Sequence, residues 1–128
     1  MVVMKQEDKE LLLRDLCGRL PYGVACKDIY INVSGRLDEI STRYNMCRLS
    51  DIYGELETCY ISNCRPYLFP LSSMTEEQKE EFDRLYTYDA LIVEPQWKLI
   101  DFCNKHHLDY RGLIPKGLAS DATGLNIY

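Results

Sequence analysis

The chain has 128 residues, of which 46% are hydrophobic and 27% charged, and its formal net charge is −5 at pH 7. This length and balance predict one folded domain over residues 1–128 and exclude a disordered tail, a coiled coil and a collagen-like chain. The acidic balance also disfavours duplex nucleic acid as a partner, because DNA-binding proteins gain much of their affinity by neutralising phosphates.

The first predicted element is an amphipathic helix over residues 6–20, which Pro21 and Gly23 end. Apolar residues that recur at helical spacing form its predicted buried stripe: Leu12, Leu13, Leu16, Cys17 and Leu20. Charged residues are assigned to its exposed surface: Lys9, Glu10, Arg14 and Asp15.

Residues 23–69 consist of short β-branched and aromatic runs separated by turn-forming residues, a pattern typical of an antiparallel meander of four or five strands. Gly35 is interpreted as a turn residue within it. A strongly bent small barrel is one way to close so short a meander. The run Arg65-Pro66-Tyr67-Leu68-Phe69-Pro70 must be extended, because its prolines exclude helix on both sides.

Two further helices are predicted after the meander. Thr75, followed three residues later by Gln78, predicts a capping box at the start of one of them. The stripe of this helix comprises Phe82, Leu85 and Tyr86.

The last helix starts near Pro95, runs to about His107 and has Trp97 in the core. The remaining residues, 108–128, are predicted to be an ordered coil held to the core by aliphatic residues: Leu113, Ile114, Leu118, Leu125 and Ile127.

The sequence lacks an apolar run of the roughly 18–20 residues that a membrane helix requires. Its first ten residues, MVVMKQEDKE, become charged too early for a signal peptide. We therefore expect a cytoplasmic protein with no membrane contact, whose six cysteines are free thiols.

The cysteine spacings match neither a zinc knuckle nor a zinc ribbon. A four-ligand metal set can be assembled from Cys59, Cys64, Cys103 and His106, but small buried side chains explain these cysteines more simply. We therefore predict no metal and no cofactor. The sequence also contains no glycine-rich phosphate loop and no nucleophile-elbow motif, so no catalytic residue is predicted.

The run from Arg65 to Pro70 offers the strongest candidates for partner binding. Arg65, Tyr67 and Phe69 belong to residue types that are prominent at protein interfaces. The alternative, which we favour, is a rigid connector with Tyr67 and Phe69 packed into the core.

Three phrases of the sequence are specific: DLCGRLPYGV (15–24), CRPYLFPLSSMTEEQKEEF (64–82) and HHLDYRGLIPKGLASDATGLNIY (106–128). They resemble a family of short uncharacterised proteins from gut Bacteroidetes and from their phages and mobile elements. The resemblance covers about half of the chain. It implies the cytoplasm of a bacterium or prophage host, and it transfers no activity and no residue roles.

Together these patterns predict an α+β domain with an N-terminal helix, a central antiparallel β-meander, two C-terminal helices and an ordered coil tail. The expected function is that of a non-enzymatic accessory or interaction protein of a phage or mobile element, with a protein partner. The alternative is a small metal-dependent enzyme or nucleic-acid factor that uses Cys59, Cys64, Cys103 and His106.

Overall fold

A computed structural model describes residues 4–87 and 96–128, and within these ranges it contains three α-helices and a six-stranded sheet. The helices are α1 (Gln6–Arg19), α2 (Glu76–Tyr86) and α3 (Gln96–Lys105). The strands are β1 (Ala25–Asp28), β2 (Val33–Ser41), β3 (Met46–Ser50), β4 (Leu56–Tyr60), β5 (Cys64–Leu68) and β6 (Ser120–Asp121). Short 3-10 helices occupy Leu20–Tyr22, Ile61–Asn63 and Leu71–Ser73. The predicted α+β class and the order of its main parts are confirmed.

The strands lie in the order β4-β3-β2-β1-β5-β6, and all neighbours are antiparallel except β5 and β6. The sheet is open, because in the described chain no ladder joins β4 to β5, so the small barrel suggested by the sequence does not close. The sheet is nevertheless strongly curled. In a flat sheet β3 and β5 would lie about 14 Å apart, yet the Sγ atoms of Cys47 and Cys64 lie within 4.8 Å of each other.

Helix α1 packs Leu12 and Leu16 into the core, as predicted, but two charged residues share this face. Asp15 and Arg19 are fully buried and form an ion pair, so the assignment of Asp15 to the exposed surface is wrong. Cys17 is exposed and does not belong to the buried stripe. Spacing explains both corrections, because Asp15 lies three residues after Leu12 on the same face, whereas Cys17 lies five residues after it.

Gly35 lies inside β2 and not in a turn, which corrects the sequence interpretation. It pairs with Cys26 of β1, and a Cβ atom at this position would lie 2.6 Å from the carbonyl oxygen of Ser50 in β3. A glycine here therefore permits the close approach of two strand backbones in the curled sheet.

The capping box at the start of α2 is confirmed: the Gln78 N–H donates to Thr75 Oγ1, and the Thr75 N–H donates to Gln78 Oε1. In α3 the prediction of a core position for Trp97 is wrong, since this side chain is 58% exposed. Trp97 precedes the buried Cys103 by six residues, which places it about 240° around the helix. The predicted start near Pro95 lies outside the described residues.

Helix α3 ends before His107 in a Schellman motif. His107 adopts a positive φ of 58°, the Leu108 N–H donates to the Cys103 carbonyl over 2.8 Å, and the His107 N–H donates to that of Asn104 over 3.2 Å. Beyond it, Leu113 and Leu118 are buried, as expected for a tail that belongs to the core.

The end of the tail differs from the prediction in two ways. Leu125 is exposed, and residues 120–121 form β6, a strand that the sequence analysis missed.

Candidate functional site

The partner-binding candidates Arg65, Tyr67 and Phe69 alternate with the buried residues Cys64, Pro66 and Leu68 along β5 and the residue that follows it. Successive side chains of a strand point to opposite faces, so the candidates lie on the outer face and are half-buried. The prediction that Tyr67 and Phe69 pack into the main core is therefore wrong.

Tyr128 covers part of this outer face. The Tyr128 hydroxyl donates to the Tyr67 carbonyl over 2.7 Å and accepts from the Ala25 N–H over 2.9 Å. Its ring lies 5.7 Å from that of Phe69 and stacks on His107 at 3.7 Å. Phe69 thus contacts Tyr128 of the same chain, which leaves Arg65 and Tyr67 as the candidates that line open surface.

Arg65 lines a groove of about 740 Å³ between the start of α1, the β1–β2 turn and the loop after Leu113. Basic and exposed apolar side chains dominate its walls, and we call it the cationic groove: Lys5, Lys9, Ile29, Tyr30, Arg65 and Lys116. Asp8 is the carboxylate that also lines it. Lys5 and Lys9 come together because residues four apart share a face at the start of α1.

The four cations of the cationic groove form no ion pair with any carboxylate of the described residues. The Arg65 guanidinium instead donates to backbone carbonyls, those of Gly117 over 3.1 Å and Ser62 over 2.8 Å, which fixes its position without neutralising its charge. Tyr30 is 82% exposed beside them. The groove is thus locally positive on a chain whose net charge is −5.

Tyr67 lines a second groove, of about 700 Å³, together with Arg36, Ile52 and Ile127. Its polar groups already have partners within the chain. The Tyr67 hydroxyl lies 3.3 Å from Ser34 Oγ, and Arg36 donates to the carbonyl of Ile127 over 3.0 Å. This groove therefore offers a ligand fewer polar side chains without an intrachain partner than the cationic groove does.

Three cysteines converge in the core: the Sγ atoms of Cys47, Cys59 and Cys64 all lie within 4.8 Å of one another. Cys47 and Cys59 are directly opposite in the β3–β4 ladder. Cys64 comes from β5, which has no hydrogen-bonded ladder with β4 among the described residues. A fourth cysteine, Cys26 of β1, is a diagonal neighbour of Cys64 in the β1–β5 ladder, and its proximity raises the pKa of Cys64. All four are buried, and we call them the cysteine cluster.

The metal set considered from the sequence does not converge. Cys59 and Cys64 belong to the cysteine cluster, whereas Cys103 and His106 lie on and just after α3 and join no group of metal-binding side chains among the described residues. Burial raises the pKa of the Cys103 thiol to about 11, so this thiol is protonated at neutral pH. His106 Nδ1 lies 3.4 Å from Gln78 Nε2, which couples α2 to α3.

A buried polar network that the sequence analysis missed joins α1 to the tail. Arg19 donates through Nε to Asp15 Oδ2 over 2.7 Å and through Nη2 to the Leu108 carbonyl over 2.6 Å. Arg111 Nε lies 3.6 Å from Asp15 Oδ1. The guanidinium groups of Arg19 and Arg111 both lie over the ring of Tyr110. Burial raises the pKa of Asp15 above its ordinary value, although Arg19 opposes this effect.

The sequence contains a usable signal for part of the cysteine cluster. Residues 47 and 59 are equidistant from Tyr53, which with Gly54 forms the β3–β4 turn, so a hairpin centred there pairs them. No comparable local signal exists for Cys26 and Cys64, whose approach depends on the pairing of β1 with β5.

Comparisons with protein-family models, with curated proteins and with solved structures found no match to this chain. Among the described residues, no helix has the length and apolar character needed to cross a membrane.

Proposed function

We propose that this chain is a non-enzymatic interaction protein that binds an acidic segment of a protein partner in the cationic groove. The observation that carries the proposal is the set of four cations without carboxylate partners in the described chain, beside the exposed Ile29 and Tyr30. The resemblance of three phrases to proteins of gut Bacteroidetes and their phages supports a setting in the cytoplasm of a phage-infected or mobile-element-bearing cell.

Charge complementarity favours an acidic partner. Like-charged side chains repel, so the unpaired cations of the groove are released from repulsion when a carboxylate-rich segment binds. Tyr30 supplies a large ring that loses little entropy on ordering, and tyrosine and arginine are prominent among residues that dominate binding energy. The acidic remainder of the surface repels the same segment and so restricts it to this groove.

A protein segment fits the groove better than nucleic acid does. Two of the cations, Lys5 and Lys9, lie at the N-cap and in the first turn of α1, and this turn also carries Glu7 and Asp8. These carboxylates would face a continuous phosphate backbone, whereas a short peptide needs only a few matched charges. The metal-dependent alternative loses its geometric basis, because Cys103 and His106 do not join Cys59 and Cys64.

The test is fluorescence anisotropy with a labelled twelve-residue peptide rich in Glu and Asp that carries one Leu and one Tyr. The double variant Lys9→Glu/Lys116→Glu should weaken binding at least about tenfold, since it replaces attraction by repulsion. Tyr30→Ala should weaken binding while leaving its salt dependence intact, because no charge changes.

The matched control is Lys79→Glu, which reverses an exposed lysine on α2 outside the groove. It should change peptide affinity less than about twofold, because Lys79 does not line the groove and salt screens interactions between exposed charges. Absence of saturable peptide binding, or equal losses in the groove and control variants, would refute the proposal. Tighter binding of single-stranded or duplex DNA than of the peptide at physiological salt would also refute it.

A further inference from the structure

We propose that the cysteine cluster is a structural zinc site, in which Cys26, Cys47, Cys59 and Cys64 provide four thiolate ligands to one ion. This inference does not require that the cationic groove binds a peptide. It concerns the inner face of the sheet, where the sulfur atoms of Cys47, Cys59 and Cys64 converge and where Cys26 of β1 lies on the same face beside Cys64.

The spacing of the sulfur atoms fits a single tetrahedral ion. Zinc–sulfur bonds of about 2.3 Å place the four sulfurs of a tetrahedral site about 3.8 Å apart. The Sγ atoms of Cys47, Cys59 and Cys64 lie within 4.8 Å of one another, so small rotations of these side chains would bring them to that distance. A tetrahedral set of four sulfurs is typical of zinc and of iron–sulfur centres, and four cysteines are a common ligand set of structural zinc sites.

Cys26 is the fourth ligand that the strand pairing favours. It stands opposite Pro66 in the β1–β5 ladder, which makes it a diagonal neighbour of Cys64 on the same face. Asp28, opposite Cys64, also reaches the inner face, but its Oδ1 accepts the N–H groups of Tyr30 and Ile31 and forms the β1–β2 turn. Cys26 has no comparable role, since its thiol donates only weakly to the Val24 carbonyl at 3.8 Å.

The charge of such a site has a partner nearby. Four thiolates and one Zn²⁺ carry a net charge of −2, which is costly in the core unless positive groups or N–H donors lie close to it. The Arg65 guanidinium is near enough to Cys59 and Cys64 to interact with both electrostatically. Its hydrogen bonds to the carbonyls of Ser62 and Cys64 hold it beside the β4–β5 link.

The position of the cluster explains what the ion would do. β4 and β5 are the strands that the curled sheet brings together without a hydrogen-bonded ladder, and only Ile61–Asn63 connects them. An ion held by Cys59 on one side and Cys64 on the other would join the two strands across this seam. Because the ligands are buried and distant in sequence, the ion must bind as the chain folds, so its binding energy contributes to folding.

The test begins with the metal content of the wild-type protein, purified without added metal and measured by mass spectrometry. We expect one zinc ion per chain. Titration with a mercurial reagent should release it in proportion to the modification of the cluster thiols. Replacement by Co²⁺ should produce the intense near-ultraviolet absorption of cobalt–thiolate bonds and the visible bands of tetrahedral cobalt.

Variants locate the ligands. Cys47→Ala and Cys26→Ala should each lose most of the zinc and of the cobalt absorption. Cys103→Ala is the matched control, because Cys103 is equally buried but lies outside the cluster, and it should retain the ion. Exchange of the wild-type protein into strong chelator should lower its melting temperature, and added zinc should restore it, which tests the site even where a variant fails to fold.

Three results would overturn the proposal. The first is wild-type protein that folds with no zinc and melts at the same temperature with zinc and with chelator. The second is equal retention of zinc by the Cys47→Ala and Cys103→Ala variants. The third is a Cys47–Cys59 disulfide in freshly purified protein, because oxidised sulfurs do not ligate zinc as thiolates.

Discussion

Replacing Arg19 by methionine should be among the most destabilising single changes in this protein. The Arg19 and Asp15 side chains are both fully buried and joined over 2.7 Å. Removing the guanidinium leaves the carboxylate with only Arg111 at 3.6 Å, and it also strips the Leu108 carbonyl of its 2.6 Å donor. Loss of one partner of a buried ion pair typically costs about 3–5 kcal/mol. We expect the free energy of unfolding to fall by this amount at neutral pH.

Two comparisons separate the buried charge from other causes. The double variant Asp15→Leu/Arg19→Met removes both charges, so its cost should shrink to about 1–3 kcal/mol, the penalty for the unpaired Leu108 carbonyl. The exposed pair of Arg84 and Glu81 has the same 2.7 Å distance. Arg84→Met should cost no more than about 1 kcal/mol, because water screens this pair.

The pH dependence provides a further check. The folded-state pKa of Asp15 is already raised by burial, and losing Arg19 raises it further. A raised carboxyl pKa means that the folded chain binds the proton more tightly than the unfolded chain, so stability falls as pH increases. The penalty of Arg19→Met should therefore grow between pH 5 and pH 8 in urea titrations. A free energy of unfolding within about 0.5 kcal/mol of wild type across this range would refute the reasoning.

Three further predictions concern the sheet and the C-terminus. Phe69→Ala should reduce the free energy of unfolding by about 1–2 kcal/mol in a urea melt. This loss is smaller than that of a core truncation, because the Phe69 ring is half-buried against Tyr128. A loss above about 3 kcal/mol would instead indicate that Phe69 packs in the core. Gly35→Ala should cost about 1–3 kcal/mol and lower the melting temperature, since its Cβ meets the Ser50 carbonyl; an unchanged melt would contradict this contact. Burial and, to a lesser extent, nearby positive charges lower the pKa of His107 to about 4. Between about pH 4 and 6.5 the unfolded chain therefore binds a proton at His107 more tightly than the folded chain does. The free energy of unfolding should consequently drop as the pH falls through this window. Screening of the partly exposed ring limits the drop to about 1–2 kcal/mol, and equal pH slopes in wild type and His107→Phe would refute it.

Local patterns predicted most of the secondary structure. The capping box at Thr75, the extended run around Pro66 and the helical spacing of Leu12 and Leu16 are signals that nearby residues create, and the structure has each of them. Where the prediction for α1 failed, residue type had outweighed position. Asp15 occurs at the spacing of the buried stripe, but its charge favours the exposed surface because charged residues are rarely buried.

Features that depend on the curl of the sheet could not be read from local patterns. The β2–β3 ladder shifts register between Leu37 and Glu39, and such an irregularity bends a strand and increases its twist. That bend helps to bring β5 near β3, and with it Cys64 near Cys47. The pairing of β6 with β5 likewise joins residues more than fifty positions apart, for which a two-residue strand carries no sequence signature.

Side chains alternate between the two faces of the sheet along β5, so the two proposals can be tested with different variants. Cys64 points inward to the cysteine cluster, and the next residue, Arg65, points outward to the cationic groove. Lys9 and Lys116 are exposed and do not belong to the cluster, so reversing their charge should leave the zinc content unchanged while it weakens peptide binding. The converse does not hold, because loss of the ion would free the β4–β5 link and with it the backbone carbonyl of Ser62 that positions Arg65. Peptide binding should therefore depend on the ion, whereas the ion should not depend on the peptide-binding lysines.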